Sequence, residues 1–159
     1  MRHLALAAAC AILAAAAARA ENVGSITLQC GRTYEVIGTV HAEQIERARI
    51  AWFDSDGAAQ GSQEFSARGE GPLGTGRNAG RLRIALPGPE TQRCRVEFSL
   101  LTGDPPQPMR AFRIRQRSTD TCISAEDGGD EDFDDMILCF YPAASGDERR
   151  ERPAAPAPP

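Results

Sequence analysis

Seven carboxylates crowd into eleven residues of this sequence, 125–135, which read AEDGGDEDFDD. Gly128 and Gly129 allow a tight backbone among them, and an aromatic residue, Phe133, lies between the acids. Two carboxylates about 4 Å apart repel each other by about 4 kcal/mol at an effective dielectric constant of about 20, so a bound cation would stabilise such a cluster. Ca²⁺ takes roughly six to eight oxygen ligands in flexible geometry, whereas Mg²⁺ demands a strict octahedron and transition metals favour His or Cys. The pattern therefore predicts a calcium site, and the alternative is an acidic turn that holds no ion. The seven acids are Glu126, Asp127, Asp130, Glu131, Asp132, Asp134 and Asp135.

The residues that follow the acids predict that the acidic stretch is the tip of a β-hairpin. MILCFYP, residues 136–142, is a short apolar run of the kind that forms a buried strand. An EF-hand is excluded, because the positions that need Gly and Glu, counted from Asp130, hold Asp135 and Tyr141. In a hairpin the carboxylates would fold back over one or two calcium ions.

The first 20 residues have the features of a secretory signal peptide: a basic start, an apolar run and Ala-Arg-Ala at 18–20. We therefore expect an exported chain, periplasmic or secreted, that begins at Glu21. Residues 21–145 are expected to form one domain. Residues 146–159 are charged and then rich in Pro and Ala, which indicates a disordered tail.

Export makes disulfides the default state of the four cysteines that follow the signal peptide, and four free thiols are the alternative. If Glu126 faces Asp135 across the hairpin, Cys122 lies opposite Cys139, four residues further down each leg. A disulfide there would join the two legs and contribute about 3 kcal/mol. No pair has the C-x-x-C spacing typical of metal sites. The remaining pair would be Cys30 and Cys94.

Short segments with alternating apolar residues, separated by turns rich in Gly and Pro, predict an all-β fold, an antiparallel β-sandwich. The stretch HAEQIERA, residues 41–48, tolerates a helix but is interpreted as a loop or strand edge. In RAFRIRQ we expect Phe112 and Ile114 to point inward and the arginines outward. Trp52 is expected to be a core residue rather than a platform for a sugar ring. The segments with strand pattern are SITLQC, RTYEVIGTV, RARIAWF, GRLRIAL, CRVEFSL, RAFRIRQ and MILCFY.

Charge and side-chain inventory argue against several function classes. Without Arg2 and Arg19, 16 arginines face 22 acidic residues, a formal net charge of −6 that does not favour nucleic acid as a partner. His41 is the only histidine after the signal peptide, and no G-x-S-x-G motif is present. Carboxylates around calcium are held ionised, which suits a glycosidase acid poorly. We expect no enzymatic activity.

Residues 124–142, SAEDGGDEDFDDMILCFYP, resemble the C-terminal calcium loop of the bacterial calcium-mediated fucose- and mannose-binding lectins. The family loop reads approximately E-D-G-x-D-x-D-(Y/F)-N-D and precedes an apolar strand that ends in Trp-Pro. Here Asp134 takes the place of the Asn, and Tyr141-Pro142 that of Trp-Pro. RTYEVIGTV also resembles an early strand of the family. The resemblance implies a nine-stranded antiparallel sandwich with two adjacent calcium ions.

The resemblance also implies roles for individual residues. Sugar hydroxyls would complete the calcium coordination, and Asp127 would accept a hydrogen bond from one of them. Family chains end soon after Trp-Pro, so that the terminal carboxylate reaches a partner subunit. Because this chain continues for 17 residues after Pro142, we do not expect that dimer contact, although the sequence is compatible with an oligomer. The implied metal ligands are Glu126, Asp130, Asp132, Asp134 and Asp135, and the implied sugar-binding residues are Asp127, Asp130, Asp132 and Asp135.

Together these features predict an exported, calcium-dependent carbohydrate-binding protein that recognises a glycan of the fucose or mannose type. The alternative is a structural or interaction domain in which calcium only stabilises the fold. The sequence does not fix the sugar, the number of ions or the oligomeric state.

Overall fold

The computed structural model describes residues 23–74, 80–128, 130 and 132–143. The predicted signal peptide and tail lie outside these ranges, as do Gly129 and Glu131 of the acidic stretch. Nine strands, all paired in antiparallel fashion, make up the described fold. They are β1 (Val23–Gln29), β2 (Arg32–Phe53), β3 (Ala59–Pro72), β4 (Arg81–Leu86), β5 (Arg93–Thr102), β6 (Gln107–Pro108), β7 (Ala111–Gln116), β8 (Thr121–Glu126) and β9 (Met136–Pro142).

The long strand β2 belongs to both layers of the fold. Its first part pairs with β4 and β9, and the β9 ladder ends at Val40. Its second part pairs with β5 from Glu46 onward, while β3 covers its other edge. A bulge interrupts the pairing with β3 between Ala42 and Ile45. A bulge bends a strand and increases its twist, so β2 passes from one layer to the other at this point.

The two layers enclose one core. The first layer contains β1, β5 and the second part of β2, and the second contains β9, β8 and β7 beside the first part of β2. Phe98 on β5 packs edge to face against Phe112 on β7, with ring centroids 5.1 Å apart. Alternate residues of the strands fill the space between, as the sequence pattern predicts. The predicted all-β antiparallel fold class is confirmed.

Of two predictions about individual side chains, one is confirmed and one is wrong. Trp52 is partly buried and packs against the core, as expected. The prediction for Ile114 is wrong, since this residue is 43% exposed. Ile114 lies on β7, an edge strand that pairs only with β8 among the described residues, and the last four residues of β7 are all exposed. Phe112, two residues earlier, does pack inward.

Both cysteine pairs are disulfide-bonded, Cys122–Cys139 as the hairpin register implies and Cys30–Cys94 as the remaining pair. Cys122 lies directly opposite Cys139 in the β8–β9 ladder and is bonded to it. Cys30 and Cys94 are fully buried and bonded across 64 residues of sequence.

Within the described ranges there is no helix long and apolar enough to span a membrane.

Candidate functional site

The acidic stretch sits at the end of the β8–β9 hairpin, where the predicted register places it. The ladder runs to the pair Ala125 and Met136, so the next residues, Glu126 and Asp135, begin the tip. The backbone N–H of His41 on β2 donates to the carbonyl oxygen of Asp135 at 2.9 Å. The hairpin tip is therefore fastened to β2 beside the bulge at which β2 changes layers.

Glu126 is the buried base of the tip, only 1% exposed. The backbone N–H of Gly128 donates to Oε1 at 2.8 Å, and that of Phe133 donates to Oε2 at 3.2 Å. Phe133 adopts a left-handed conformation with φ of 63°, which is uncommon for a residue other than Gly. This conformation turns the backbone so that the loop closes around the Glu126 carboxylate.

Two groups of carboxylates converge in the tip and share Glu126. In each group, one oxygen of every member lies within 4.8 Å of one oxygen of every other. The exposed group lies on the outer side of the tip, and the second group is more buried. The first group is Glu126, Asp130 and Asp132, and the second is Glu126, Asp127 and Asp135.

Asp134 is the implied ligand that neither group includes. Its backbone N–H donates to Asp132 Oδ1 at 3.3 Å. The pKa of its own carboxyl group is raised, mainly by a hydrogen bond with the Asp132 carboxyl group and then by burial. The structure thus places Asp134 beside Asp132, on the exposed side of the tip.

The pKa of Asp135 shows that burial and the neighbouring carboxylates disfavour its charge. Burial, together with the charges of Asp127 and Glu126, raises the pKa of Asp135 to about 6. The backbone N–H of Asp127 opposes this by donating to Asp135 Oδ2 at 2.7 Å. A group of hard oxygen donors that resists ionisation in the absence of a cation is the donor set that fits calcium.

A buried acid that the sequence interpretation missed, Glu46, lies beneath the tip. It is 0% exposed, and its Oε2 has no hydrogen-bond partner among the described residues. Thr102 Oγ1 lies 2.7 Å from Glu46 Oε1 and 3.0 Å from Asp127 Oδ2, so its single hydroxyl hydrogen serves one of these oxygens at a time. Burial raises the pKa of Glu46 to about 7, and the neighbouring Asp127 charge adds to the effect. Glu46 and Thr102 thus form a polar support for Asp127.

A signal for Glu46 was present in the sequence. Glu46, Ala48 and Ile50 have the same parity, so a continuous strand would point all three inward. Interpreting residues 41–48 as a loop or strand edge hid this, because β2 in fact continues through them.

Two arginines, one just before β7 and one on it, contact the acidic tip. Arg110 donates from Nη1 to the carbonyl oxygen of Gly128 at 2.9 Å. The guanidinium carbon of Arg113 lies 3.5 Å from the centroid of the Phe133 ring, a cation–π contact. The second contact gives Phe133 a role among the acids, because its ring holds the guanidinium group of Arg113 beside the tip.

Comparison with solved structures finds bacterial lectins. The C-terminal domain of the lectin BC2L-C from Burkholderia cenocepacia is 21% identical, with a TM-score of 0.46 over 76% of this chain and 95% of that one. The lectin CV2L from Chromobacterium violaceum, solved with alpha-methyl-fucoside, is 20% identical, with a TM-score of 0.47 over 74% and 93%. A high-affinity mannose-binding lectin from Ralstonia solanacearum is 16% identical, with a TM-score of 0.47 over the same shares.

All three are bacterial lectins, one of them solved with a fucoside and one described as mannose-binding. No family model and no curated relative matches the chain. At this level of identity and TM-score the likeness does not assign a function.

Proposed function

We propose that this protein binds carbohydrate through calcium held in the acidic tip. The observation that carries the proposal is the pair of carboxylate groups that share Glu126 at the end of the hairpin. Their oxygens are crowded and partly exposed, and the pKa is raised for Asp135 in the inner group and for Asp134 beside the outer group; a divalent cation relieves this state.

The residues of the tip have separate roles in this proposal. Glu126, Asp130 and Asp132 hold a cation on the exposed side, with Asp134 beside them, and Asp135 holds one on the inner side. A bound calcium ion accepts two neighbouring sugar hydroxyl groups in place of water. Asp127, partly exposed and supported by Thr102, accepts a hydrogen bond from a hydroxyl group of the same sugar.

The ligand class that the loop resemblance supports is a glycan of the fucose or mannose type. Binding rather than catalysis is favoured, because carboxylates that ligate calcium are poor proton donors. Export is part of the same proposal, since two disulfides persist in oxidising compartments.

A glycan array tests the proposal when it is read in calcium and again in excess EGTA. We expect binding to fucose- or mannose-terminated glycans that EGTA abolishes. The matched variants are D132A, which removes an exposed ligand of the tip, and D56A, which removes an exposed acid of the β2–β3 turn. D132A should lose binding and D56A should keep it. Calcium-dependent melting without any glycan signal would instead favour a structural role for the ion.

A further inference from the structure

A cleft lies at the end of the β8–β9 hairpin opposite to the acidic tip. It has a volume of about 500 Å³ and opens where β1, the start of β2, the β7–β8 turn and the end of β9 meet. Thr121 and Phe140, which pair at this end of the hairpin, both line it. Five residues of strand, roughly 17 Å, separate Thr121 from Glu126 in the acidic tip.

Buried side chains fix the floor of the cleft. Leu28, Tyr34 and Phe140 line it and are 4%, 4% and 0% exposed. The hydroxyl group of Tyr34 is held in place, since it accepts from the N–H of Gln29 at 3.0 Å and donates to the Gln29 carbonyl oxygen at 3.2 Å. Gln116 donates to the carbonyl oxygen of Thr27 at 3.3 Å and so joins the edge strands β7 and β1 across the cleft. The surface that the cleft exposes is mainly polar, which favours a ligand rich in hydroxyl or charged groups.

The rim of the cleft is cationic. Three arginines line it, Arg32, Arg93 and Arg117. Arg32 makes a half-exposed ion pair with Glu90 at 3.3 Å, an interaction of the weak surface kind. The side chains of Arg93 and Arg117 are exposed and form no ion pair within the described part of the chain.

The carboxylate that lines the cleft, Asp120, is held mainly by groups outside the cleft. Thr119 donates to Asp120 at 2.9 Å and Arg115 at 3.0 Å, and these contacts lower the pKa of Asp120. Arg115 does not line the cleft. The charge of Arg117 also contributes to lowering the pKa of Asp120, and the exposed guanidinium groups of Arg93 and Arg117 remain accessible to a ligand.

We propose that this cleft binds an acidic saccharide, with the carboxylate or sulfate group of the sugar between Arg93 and Arg117. Guanidinium groups bind both kinds of anion through paired hydrogen bonds. Gln29 and Ser118 on the rim offer hydrogen bonds to sugar hydroxyl groups. This site differs from the calcium tip in place, charge and ligand, and it needs no metal.

Calorimetric titration of the full chain in EGTA tests the site while calcium is absent from the acidic tip. The probes are trigalacturonate, a heparin-derived tetrasaccharide and neutral maltotriose. We expect one of the acidic probes to bind, and the one that binds identifies carboxylate or sulfate as the preferred anion. We expect added salt to weaken that binding, because the arginines are exposed.

Matched charge variants complete the experiment. R93A/R117A should weaken binding of the acidic probe at least about tenfold, as expected when two charge-assisted contacts are lost. R49A/R83A removes two exposed arginines from outside the cleft and should leave binding within about twofold. Equal binding of maltotriose, no binding of either acidic probe, or full binding by R93A/R117A would each overturn the proposal. Since calcium is absent throughout, these results are independent of the fate of the calcium-tip proposal.

Discussion

Glu46 is a carboxylic acid enclosed by protein directly beneath a loop of carboxylates. Its contact with Thr102, and through Thr102 with Asp127, links the core to the residue that we assign to sugar binding. A buried acid with one unpartnered oxygen is costly when it is charged. Its protonation state therefore affects both the stability of the fold and the orientation of Asp127.

The raised pKa of Glu46 predicts how stability depends on pH in the metal-free protein. Between the ordinary pKa of 4.5 and the folded pKa of about 7, the folded state binds more protons at Glu46 than the unfolded state does. The contribution of neutral Glu46 to the free energy of unfolding is therefore fully present below about pH 4.5, and it is lost as the pH rises through about 7. The loss amounts to roughly 3 kcal/mol, since each pKa unit corresponds to about 1.4 kcal/mol.

Glu46→Gln should remove this dependence, because the amide keeps the shape of the side chain without the charge. Urea unfolding in EGTA, from about pH 5 to about pH 8, measures the free energy of unfolding of both proteins. We expect the variant to exceed the wild type only toward the upper end of the range. If the free energy of unfolding changed with pH in the same way in both proteins, the raised pKa of Glu46 would be contradicted.

Asp132 is exposed and belongs to the outer carboxylate group, so its removal should affect the ion rather than the fold. Asp132→Ala should abolish the rise in melting temperature that calcium causes in the wild type. At a calcium concentration 100 times the dissociation constant, that stabilisation is about 2.7 kcal/mol. Asp56→Ala, the control, should respond to calcium as the wild type does. A normal calcium response of D132A in differential scanning calorimetry would refute this role.

The β8–β9 hairpin is the element that the sequence predicted best. The alternation and the cysteine spacing place Cys122 opposite Cys139, and the structure has that register. β3 and the full length of β2 were not predicted, for physical reasons. β3 is an edge strand with few buried residues, so it shows no apolar alternation. β2 was divided in two, because its bulge near Glu43 and Gln44 interrupts the pattern.

The Cys122–Cys139 disulfide below the tip should affect calcium affinity more than the distant Cys30–Cys94 disulfide does. Removing the Cys122–Cys139 bond by double alanine substitution should cost about 3 kcal/mol and also weaken calcium binding, because the legs of the loop are then less constrained. Removing Cys30–Cys94, which closes a longer loop, should cost about 4 kcal/mol and leave calcium affinity nearly unchanged.

Urea unfolding and calcium titration of both variants, at a temperature where each is folded, give the two quantities. Equal losses of calcium affinity in the two variants would show that the Cys122–Cys139 bond has no specific role at the tip.

On the scale of the whole molecule, charge is separated along the hairpin axis. The carboxylates gather at one end, and the arginine-lined cleft opens at the other. The acidic end was predicted from the sequence because its residues are contiguous. The cleft was not, because its lining comes from strands and turns far apart in the chain, which only the fold brings together.

Acid should release calcium from the folded protein. The pKa of Asp135 is raised to about 6 in the metal-free tip, so this carboxyl group takes up a proton as the pH falls through that value. A protonated carboxyl group is a poor ligand, and calcium affinity should fall as protons compete. Calcium titrations at about pH 7.5 and about pH 5 measure the change. Equal affinity at the two values would contradict the role of Asp135.

Calorimetric titration of the purified chain with calcium tests the central claim, that the carboxylates of the tip share a bound cation, most directly. We predict saturable binding of one or two ions per chain at neutral pH, weakened strongly in D132A and unchanged in D56A. Absence of any calcium binding by the folded wild-type protein at millimolar concentration would contradict it.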